Sequence, residues 1–598
     1  MLTTYRLLLD CLTVRERWRF WLLVAMMFIM GLFEMVGVLS ILPLLTVISN
    51  PETIETNNYL QAAYKYFGFK SNQQFLIFLS LFAMIFFVIS QVFKTITIYT
   101  IIRFAKLRGF SIGLRLLSKY LNQPYDWFLN RHSAELGKSI LSEVDRLVER
   151  FILPALRQLA FTFIALCLLG LLLATNPVIA ISMGLLVGSV YAVILLASRR
   201  YLLRIGRENL KANEQRFRVV QEGFGGVKEI KLLGIENNYI NYFKQPGSRF
   251  ARFETIGQTI NEIPRFALET VIFGAMLVVV IVLLIFAEGK LDAVIPVLGI
   301  YALAGARMLP ALQHIYRSAA SMRFSRAILE KIHADLVGGA RGADRAGGDG
   351  VLEVRDRLEL SNVTYTYPET DRPTLTGLDM TIEAKTTVGI VGSTGAGKTT
   401  TVDILLGLLF PDEGAVVVDG VSVDVSNRRA WQRSLGYVPQ QIFLTDDTLA
   451  ANIAFGVATE KIDMAAVERA ARMAELHDFV MTEMPLGYET KVGERGVRLS
   501  GGQRQRVGIA RALYRDPSVL ILDEATSALD NRTERAVMDA VHNLAHAKTI
   551  VMIAHRLSTV KSCDKIFMLE KGRCVAAGPY KSLLEGNRAF RELATGAS

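Results

Sequence analysis

Six apolar runs occupy the first half of the chain, and each is long enough to cross a lipid bilayer. A hydrocarbon layer about 30 Å thick takes about 20 helical residues to span. The runs lie at Trp21–Ile48, Phe75–Ile101, Phe151–Ala174, Val178–Ala197, Ala267–Phe286 and Leu291–Met308. Such stretches have no polar face to offer water, so they do not read as surface helices of a soluble domain. The composition agrees: 51% of the 598 residues are hydrophobic and 21% are charged, and the mean hydropathy is positive at +0.32. A disordered chain, which needs low hydrophobicity, is excluded. Cys11, Cys167, Cys563 and Cys574 make neither a CxxC nor a zinc spacing with the seven histidines, so a disulfide scaffold and a zinc site are set aside. The net charge of +11 would point to nucleic acid in a soluble protein. In a membrane chain it reflects basic cytoplasmic loops, and no nucleic-acid partner is expected.

The spacing of the runs carries further information. Only Thr175-Asn176-Pro177 separates the third from the fourth, and only Ala287-Glu288-Gly289-Lys290 the fifth from the sixth. About 50 residues follow the second run and about 70 the fourth, and both stretches are charged with helical periodicity. The membrane helices are therefore expected to continue well past the bilayer. Arg103, Lys106, Arg108, Arg115 and Lys119 follow the second run, and Arg199, Arg200, Arg204, Arg207 and Lys211 the fourth. By the positive-inside rule these long loops are cytoplasmic, as are both termini. The basic start at Arg15, Arg17 and Arg19 resembles a signal peptide, but the run after it is too long and lacks a small-residue cleavage site, so it reads as retained. The sequence divides into a membrane domain over residues 1–335, a glycine-rich linker over 336–350 and a soluble domain over 351–598.

The soluble domain holds the chemistry. Thr387-Val388-Gly389-Ile390-Val391 is a short apolar strand running into Gly392-Ser393-Thr394-Gly395-Ala396-Gly397-Lys398-Thr399, which fits G-x-x-x-x-G-K-[ST]. The glycines let backbone N–H groups face a phosphate, Lys398 adds a point charge, and Thr399 can hold Mg²⁺. Val519-Leu520-Ile521-Leu522-Asp523-Glu524 reads as a buried strand ending in two acids. Asp523 suits the water shell of Mg²⁺, and Glu524 suits orienting or deprotonating an attacking water. Leu499-Ser500-Gly501-Gly502-Gln503 precedes a helix and makes a second anion site at its N-terminus. Two phosphate-type loops for one nucleotide suggest a nucleotide clamped between two chains.

These motifs together resemble an ATP-binding cassette transporter of the exporter type. The resemblance implies a membrane α-helical domain of six transmembrane helices with long cytoplasmic extensions, fused to an α/β P-loop nucleotide-binding domain. It implies ATP and Mg²⁺ as cofactors, ATP hydrolysis coupled to transport, and a homodimer as the working unit. By position, Tyr367 matches the aromatic that stacks on adenine, and the loop Gly392, Ser393, Thr394, Gly395, Ala396, Gly397, Lys398, Thr399 and Thr400 the phosphate cradle. Gln440 resembles the glutamine that senses Mg²⁺, and Ser500, Gly501, Gly502 and Gln503 the signature that binds the γ-phosphate across the dimer. Metal contacts then fall on Thr399, Gln440 and, through water, Asp523, with Glu524 and the switch histidine His555 as catalytic residues. Ser527-Ala528-Leu529-Asp530 resembles the loop that crosses the dimer interface, and Thr490–Gly496 the exporter-specific stretch beside the signature.

Movement requires the membrane helices to dock on the cassettes. Gln123-Pro124-Tyr125-Asp126-Trp127-Phe128 and Gln221–Glu229 are the candidate docking segments, although an aromatic cluster can also pack on itself. For the cargo, Glu34, Lys94 and Arg307 are ionisable residues within or beside spans, where charge is costly. Arg265 and Glu269 stand four apart, which permits a local ion pair. If Arg265 and Arg307 instead face the central cavity, the dimer doubles them into a basic lining for a lipid-linked anionic substrate. Between Pro51 and Phe69, Leu60, Tyr64 and Phe67 recur at helical spacing opposite Asn58, Gln61 and Lys65. This segment is either an interfacial helix that touches a lipid tail or a packed external loop. It and the Pro124–Leu136 region resemble bacterial flippases for polyprenyl-pyrophosphate-linked oligosaccharides used in protein glycosylation. The resemblance implies flipping from the cytoplasmic to the periplasmic leaflet of the bacterial inner membrane. Another glycolipid such as a lipid A precursor, and a drug or peptide, are the alternative cargoes; an ATP-gated channel or regulatory ATPase is the reading outside transport.

Overall fold

The computed structural model describes residues 2–129, 131, 133–175, 177–286, 291–338, 350–368, 370–493, 496–524, 534, 538, 547–554 and 557–595. The chain forms two compact units: Met1–Leu121 with Arg131–Ala340, and Asn122–Asn130 with Arg341–Ser598.

The first unit is helical: α1 (Val14–Leu39), α2 (Leu42–Ser49), α3 (Asn58–Tyr66), α4 (Asn72–Leu121), α5 (Leu153–Thr175), α6 (Pro177–Gly225), α7 (Glu236–Phe286), α8 (Leu291–Phe324) and α9 (Arg326–Val337). Among the described residues four helical stretches are long and apolar enough to span a bilayer: Val14–Ser49, Asn72–Leu121, Glu135–Thr175 and Pro177–Gly225. The fifth and sixth expected spans fall on α7 and α8. At 1.5 Å per residue the 50 residues of α4 reach about 75 Å, so the charged stretches do extend the helices far beyond a 30 Å hydrocarbon layer. α4 buries Phe75, Leu79, Ala83, Ser90, Thr97 and Ile101 along one stripe and exposes Ile77, Leu81, Ile85, Val88 and Val92 on the other. That outer face is apolar because lipid, and not water, is its solvent.

The first span departs from the expected continuous helix. It breaks after Leu39 and restarts at Leu42, with Pro43 in the first turn of α2, where a missing backbone N–H does no harm. Before α5, the turns Ser139–Glu143 and Val148–Ile152 are π-helical. The second lies immediately ahead of Pro154, whose ring and lacking donor disturb the regular ladder. α6 and α8 approach closely at Gly206, where an added Cβ would sit 2.0 Å from the Phe324 carbonyl oxygen. Beyond the apolar region a buried ionic cluster ties three elements together. Lys331 of α9 lies 2.9 Å from Glu214 of α6 and 3.6 Å from Glu143, while Lys138 lies 2.8 Å from Glu143.

The second unit is α/β. A four-stranded antiparallel sheet runs β2-β1-β4-β5, from β1 (Arg357–Tyr365), β2 (Leu375–Glu383), β4 (Glu413–Val418) and β5 (Val421–Ser422). A six-stranded sheet runs β10-β9-β3-β8-β7-β6, from β3 (Thr387–Gly392), β6 (Leu435–Val438), β7 (Val519–Asp523), β8 (Thr549–Ile553), β9 (Lys565–Glu570) and β10 (Arg573–Gly578). β6, β7, β8, β3 and β9 are parallel, and β10 adds antiparallel at the edge. β7 and β8 are buried throughout, which is why they read as unbroken apolar runs. The short helix Tyr125–Leu129 belongs to this unit.

Candidate functional site

The residues expected to bind nucleotide gather at the carboxyl ends of adjacent parallel strands, where ligands bind in open α/β sheets. β3 delivers the phosphate loop, β7 delivers Asp523 and Glu524, β6 leads to Gln440, and β8 ends at Ile553, two residues before His555. The loop turns into α10 (Lys398–Leu405) at Gly397, whose φ is +97°; an added Cβ there would lie 2.6 Å from Leu375 Cδ2. Only glycine meets both conditions. The Lys398 ammonium donates to the carbonyls of Gly392 at 2.8 Å and Ser393 at 3.0 Å, so it arches over the loop. Burial pulls its pKa below the ordinary lysine range, against the raising effect of Glu524 and Asp523. Ser393, Thr394, Gly395 and Thr399 are exposed along the loop, while Ala396 and Thr400 are buried beneath it.

Gln440 Nε2 donates to Glu524 Oε2 at 2.7 Å. Glu524 has φ +50°, a left-handed conformation that costs a non-glycine residue about 1–3 kcal/mol, and its amide donates to the Ile553 carbonyl at 3.2 Å. The Tyr437 hydroxyl donates to Asp523 at 3.4 Å. Tyr367 and Thr400 share a hydroxyl–hydroxyl bond of 3.0 Å, which ties Tyr367 to α10. Ser500 caps α11 (Gly501–Leu513): its hydroxyl accepts from the Gln503 amide at 3.2 Å, and the Gln503 side chain accepts from the Ser500 amide at 2.7 Å. This reciprocal box uses the amides of Ser500 and Gln503 and leaves those of Gly501 and Gly502 outside it. His555, Ser527–Asp530, Glu494 and Arg495 lie outside the described residues.

Sequence reasoning missed Asp403. It stands on α10, and burial together with the nearby Asp523 charge pushes its pKa up to about 6. Burial, then Asp403 and Tyr367, raise the pKa of Tyr125, so the aromatic docking candidate sits beside the phosphate-loop helix. An acid one turn along a phosphate-loop helix has no spacing signal of its own, which is why the sequence did not single it out. The second docking candidate becomes the end of α6 and a helix Val227–Leu233, with Phe224, Leu232 and Leu233 exposed.

In the membrane unit, Arg265 pairs with Glu269 at 2.9 Å, both exposed, which is the local pair the four-residue spacing permits. Arg307 follows a different pattern. Its guanidinium lies 4.8 Å from the centre of the Phe87 ring and 3.7 Å from Glu34. Lys94 reaches the same carboxylate at 2.5 Å. The pairing of Glu34 with Lys94, 60 residues away, was not legible from sequence.

Two family descriptions match this arrangement: "ABC transporter transmembrane region" over residues 33–295 and "ABC transporter" over 375–527. The ATP-dependent lipid A-core flippase of Cupriavidus pinatubonensis is 31% identical over 490 residues, covering 80% of this chain and 81% of the relative. The chain belongs to the ABC transporters. The Bordetella pertussis protein of the same description is 36% identical to this transporter over 437 residues, 72% of this chain and 68% of that one. A solved structure described as a bacterial Atm1-family ABC exporter with ATP bound shares the transporter's fold, with a TM-score of 0.73 at 22% identity over 94% of this chain and 98% of that one. The transporter is thus an exporter-type fusion of a membrane domain and an ATP-binding domain, and it hydrolyses ATP to drive transport.

Proposed function

We propose that two copies of this transporter pair in the bacterial inner membrane and turn an anionic glycolipid from the cytoplasmic to the periplasmic leaflet. Both termini and the nucleotide-binding domains then lie in the cytoplasm. Each ATP is held between the Gly392–Thr400 loop of one copy and Ser500, Gly501, Gly502 and Gln503 of the other. The oxygen donors Thr399, Gln440 and Asp523 suit Mg²⁺, a hard cation; burial first, and the Asp523 charge second, raise the pKa of the neighbouring Asp403. When bound, that ion neutralises charge on the transferring phosphates. Lys398 then moves from the loop carbonyls to the terminal phosphates, Tyr367 stacks on the base, and Gln440 holds Glu524 toward the attacking water, with His555 on the γ-phosphate.

The observation that carries the cargo reading is the pair of cations, Lys94 and Arg307, drawn from two helices onto Glu34 of a third, within apolar spans. Arg265 stands near the start of the fifth span as a further basic contact, once its exposed pair with Glu269 opens. Within this reading the relatives' description favours a lipid A-type glycolipid. A polyprenyl-pyrophosphate-linked oligosaccharide is favoured by α3, whose Tyr59 and Tyr66 are 88% and 85% exposed, as aromatics at a membrane interface are. In proteoliposomes, ATP hydrolysis titrated with each lipid separates the two. The lipid that stimulates at the lower mole fraction and competes with the other is the cargo. Stimulation by peptides or drugs alone would overturn both.

A further inference from the structure

Glu34 is the only charged residue between Trp21 and Ile48. It is 4% exposed, deep in a helix that has nothing else to offer a carboxylate. A charge in such a place is costly unless paired. Two cations from two other helices supply the pairing, Lys94 of α4 at 2.5 Å and Arg307 of α8 at 3.7 Å. The arrangement has one carboxylate for two cations, so the cluster keeps a net positive charge. The distances are unequal as well. Lys94 is in hydrogen-bond contact, whereas the guanidinium of Arg307 stands beyond hydrogen-bond distance and rests over the Phe87 ring. Against the three charges lies a cavity of about 170 Å³, walled by Phe161, Ile164 and Pro310. At about 30 Å³ per water it has room for roughly six waters, and so for a phosphoryl group.

We propose that Glu34 is the resident counter-anion of a phosphate site formed by Lys94 and Arg307, which a lipid phosphate enters by taking over the two cations. The proposal rests on the anionic-lipid reading above and adds the residue that regulates that site. Between turnovers, the buried Glu34 carboxylate keeps both partly exposed cations paired. An entering phosphate offers several oxygens to the bidentate fork of Arg307, which a carboxylate at 3.7 Å does not fill. When the phosphate leaves, the carboxylate closes back on the cations and lowers the barrier to release. Glu34 is therefore a positioning residue that sets affinity against release. A phosphate held by an acyl-bearing lipid is the occupant, because the cavity lies among membrane-spanning helices.

The test uses the full-length transporter in phosphatidylcholine nanodiscs containing phosphatidic acid, with diacylglycerol of the same chains as the uncharged control. Phosphatidic acid retained per protein through purification is measured by mass spectrometry. Glu34→Gln should raise retention about tenfold over wild type, with no change for diacylglycerol, and Glu34→Gln with Lys94→Gln should return it near wild type. Equal retention by wild type and E34Q, or a rise that diacylglycerol shares, overturns the proposal. If E34Q does not assemble, Lys94→Gln alone leaves a closed pair of Glu34 and Arg307, and retention should fall below wild type; unchanged retention again overturns it. A wash with inorganic phosphate at rising concentration separates the sources. Retention that falls only at inorganic phosphate far above the phosphatidic acid concentration assigns a lipid headgroup, and displacement at equal concentration assigns a free phosphate and overturns the lipid as occupant. With the stimulating glycolipid, E34Q should lower the half-stimulating concentration while slowing the maximal rate, a split that a merely structural role would not produce. If no anionic lipid stimulates wild type but E34Q still retains phosphatidic acid, the cargo reading fails and the counter-anion role stands.

Discussion

Gln440 donates a hydrogen bond of 2.7 Å to the carboxylate of Glu524, joining the loop after β6 to the end of β7. The bond aims Glu524 from the side, and the left-handed backbone of that residue fixes it from below. Glu524→Gln keeps the shape and removes the proposed base, so the rate of hydrolysis should fall by roughly 10²–10⁴-fold while ATP still binds. Gln440→Ala should spare the base but lose its aim, lowering kcat by about tenfold to a hundredfold. Steady-state hydrolysis beside nucleotide binding separates the two, and an unchanged kcat for Q440A would remove Gln440 from the site.

The turn at Gly397 combines φ +97° with a Cβ clash at 2.6 Å. Gly397→Ala should cost roughly 2–5 kcal/mol from the left-handed backbone and the overpacking together. Thermal unfolding with and without ATP reads it out: Tm falls, and the stabilisation by ATP is lost with it.

Asp403 gives a pH signature. Its folded pKa of about 6 lies above the ordinary aspartate value, so the folded state holds this proton more tightly than the unfolded one. The neutral form carries no penalty at low pH, and stability is lost as pH rises through about 6. Asp403→Asn, neutral at every pH, should therefore stabilise the chelator-treated transporter by about 1–2 kcal/mol at pH 8, after discounting for partial exposure. It should have little effect at pH 4. Tm differences between the variant and wild type across that range check the sign.

Lys331 serves three carboxylates at once, Glu135, Glu143 and Glu214. Lys331→Met should cost about 1–3 kcal/mol, below the range for a fully buried pair, because Glu135 and Glu214 are partly exposed and Lys138 still neutralises the buried Glu143. Adding Glu214→Gln should recover part of the loss, which a double-mutant cycle of unfolding midpoints measures.

The transporter's architecture was legible wherever a local pattern carried the physics. Apolar length marked the spans, and Gly397 with Lys398 marked a loop whose backbone must turn against a phosphate. Asp523 and Glu524 were legible as acids ending a buried strand. The break between Leu39 and Leu42 was not, because Pro43 is as apolar as its neighbours and hydropathy passes over it. Asp403 and the contact between Glu34 and Lys94 were hidden for another reason: their meaning comes from neighbours 60 or more residues away, which no spacing encodes. The Ser500 cap was seen as an anion loop, and the structure adds that its hydroxyl and the Gln503 side chain already serve the helix start.

The most direct test of an ATP-driven lipid flippase measures hydrolysis and lipid movement in one preparation. Wild type and Glu524→Gln are reconstituted side by side with the stimulating glycolipid, and its protection from an enzyme added outside is followed with ATP. The account predicts that wild type hydrolyses ATP and moves the lipid, and that the variant does neither while still binding ATP. Intact hydrolysis by wild type with no lipid movement, or lipid movement that persists in the variant, would contradict it.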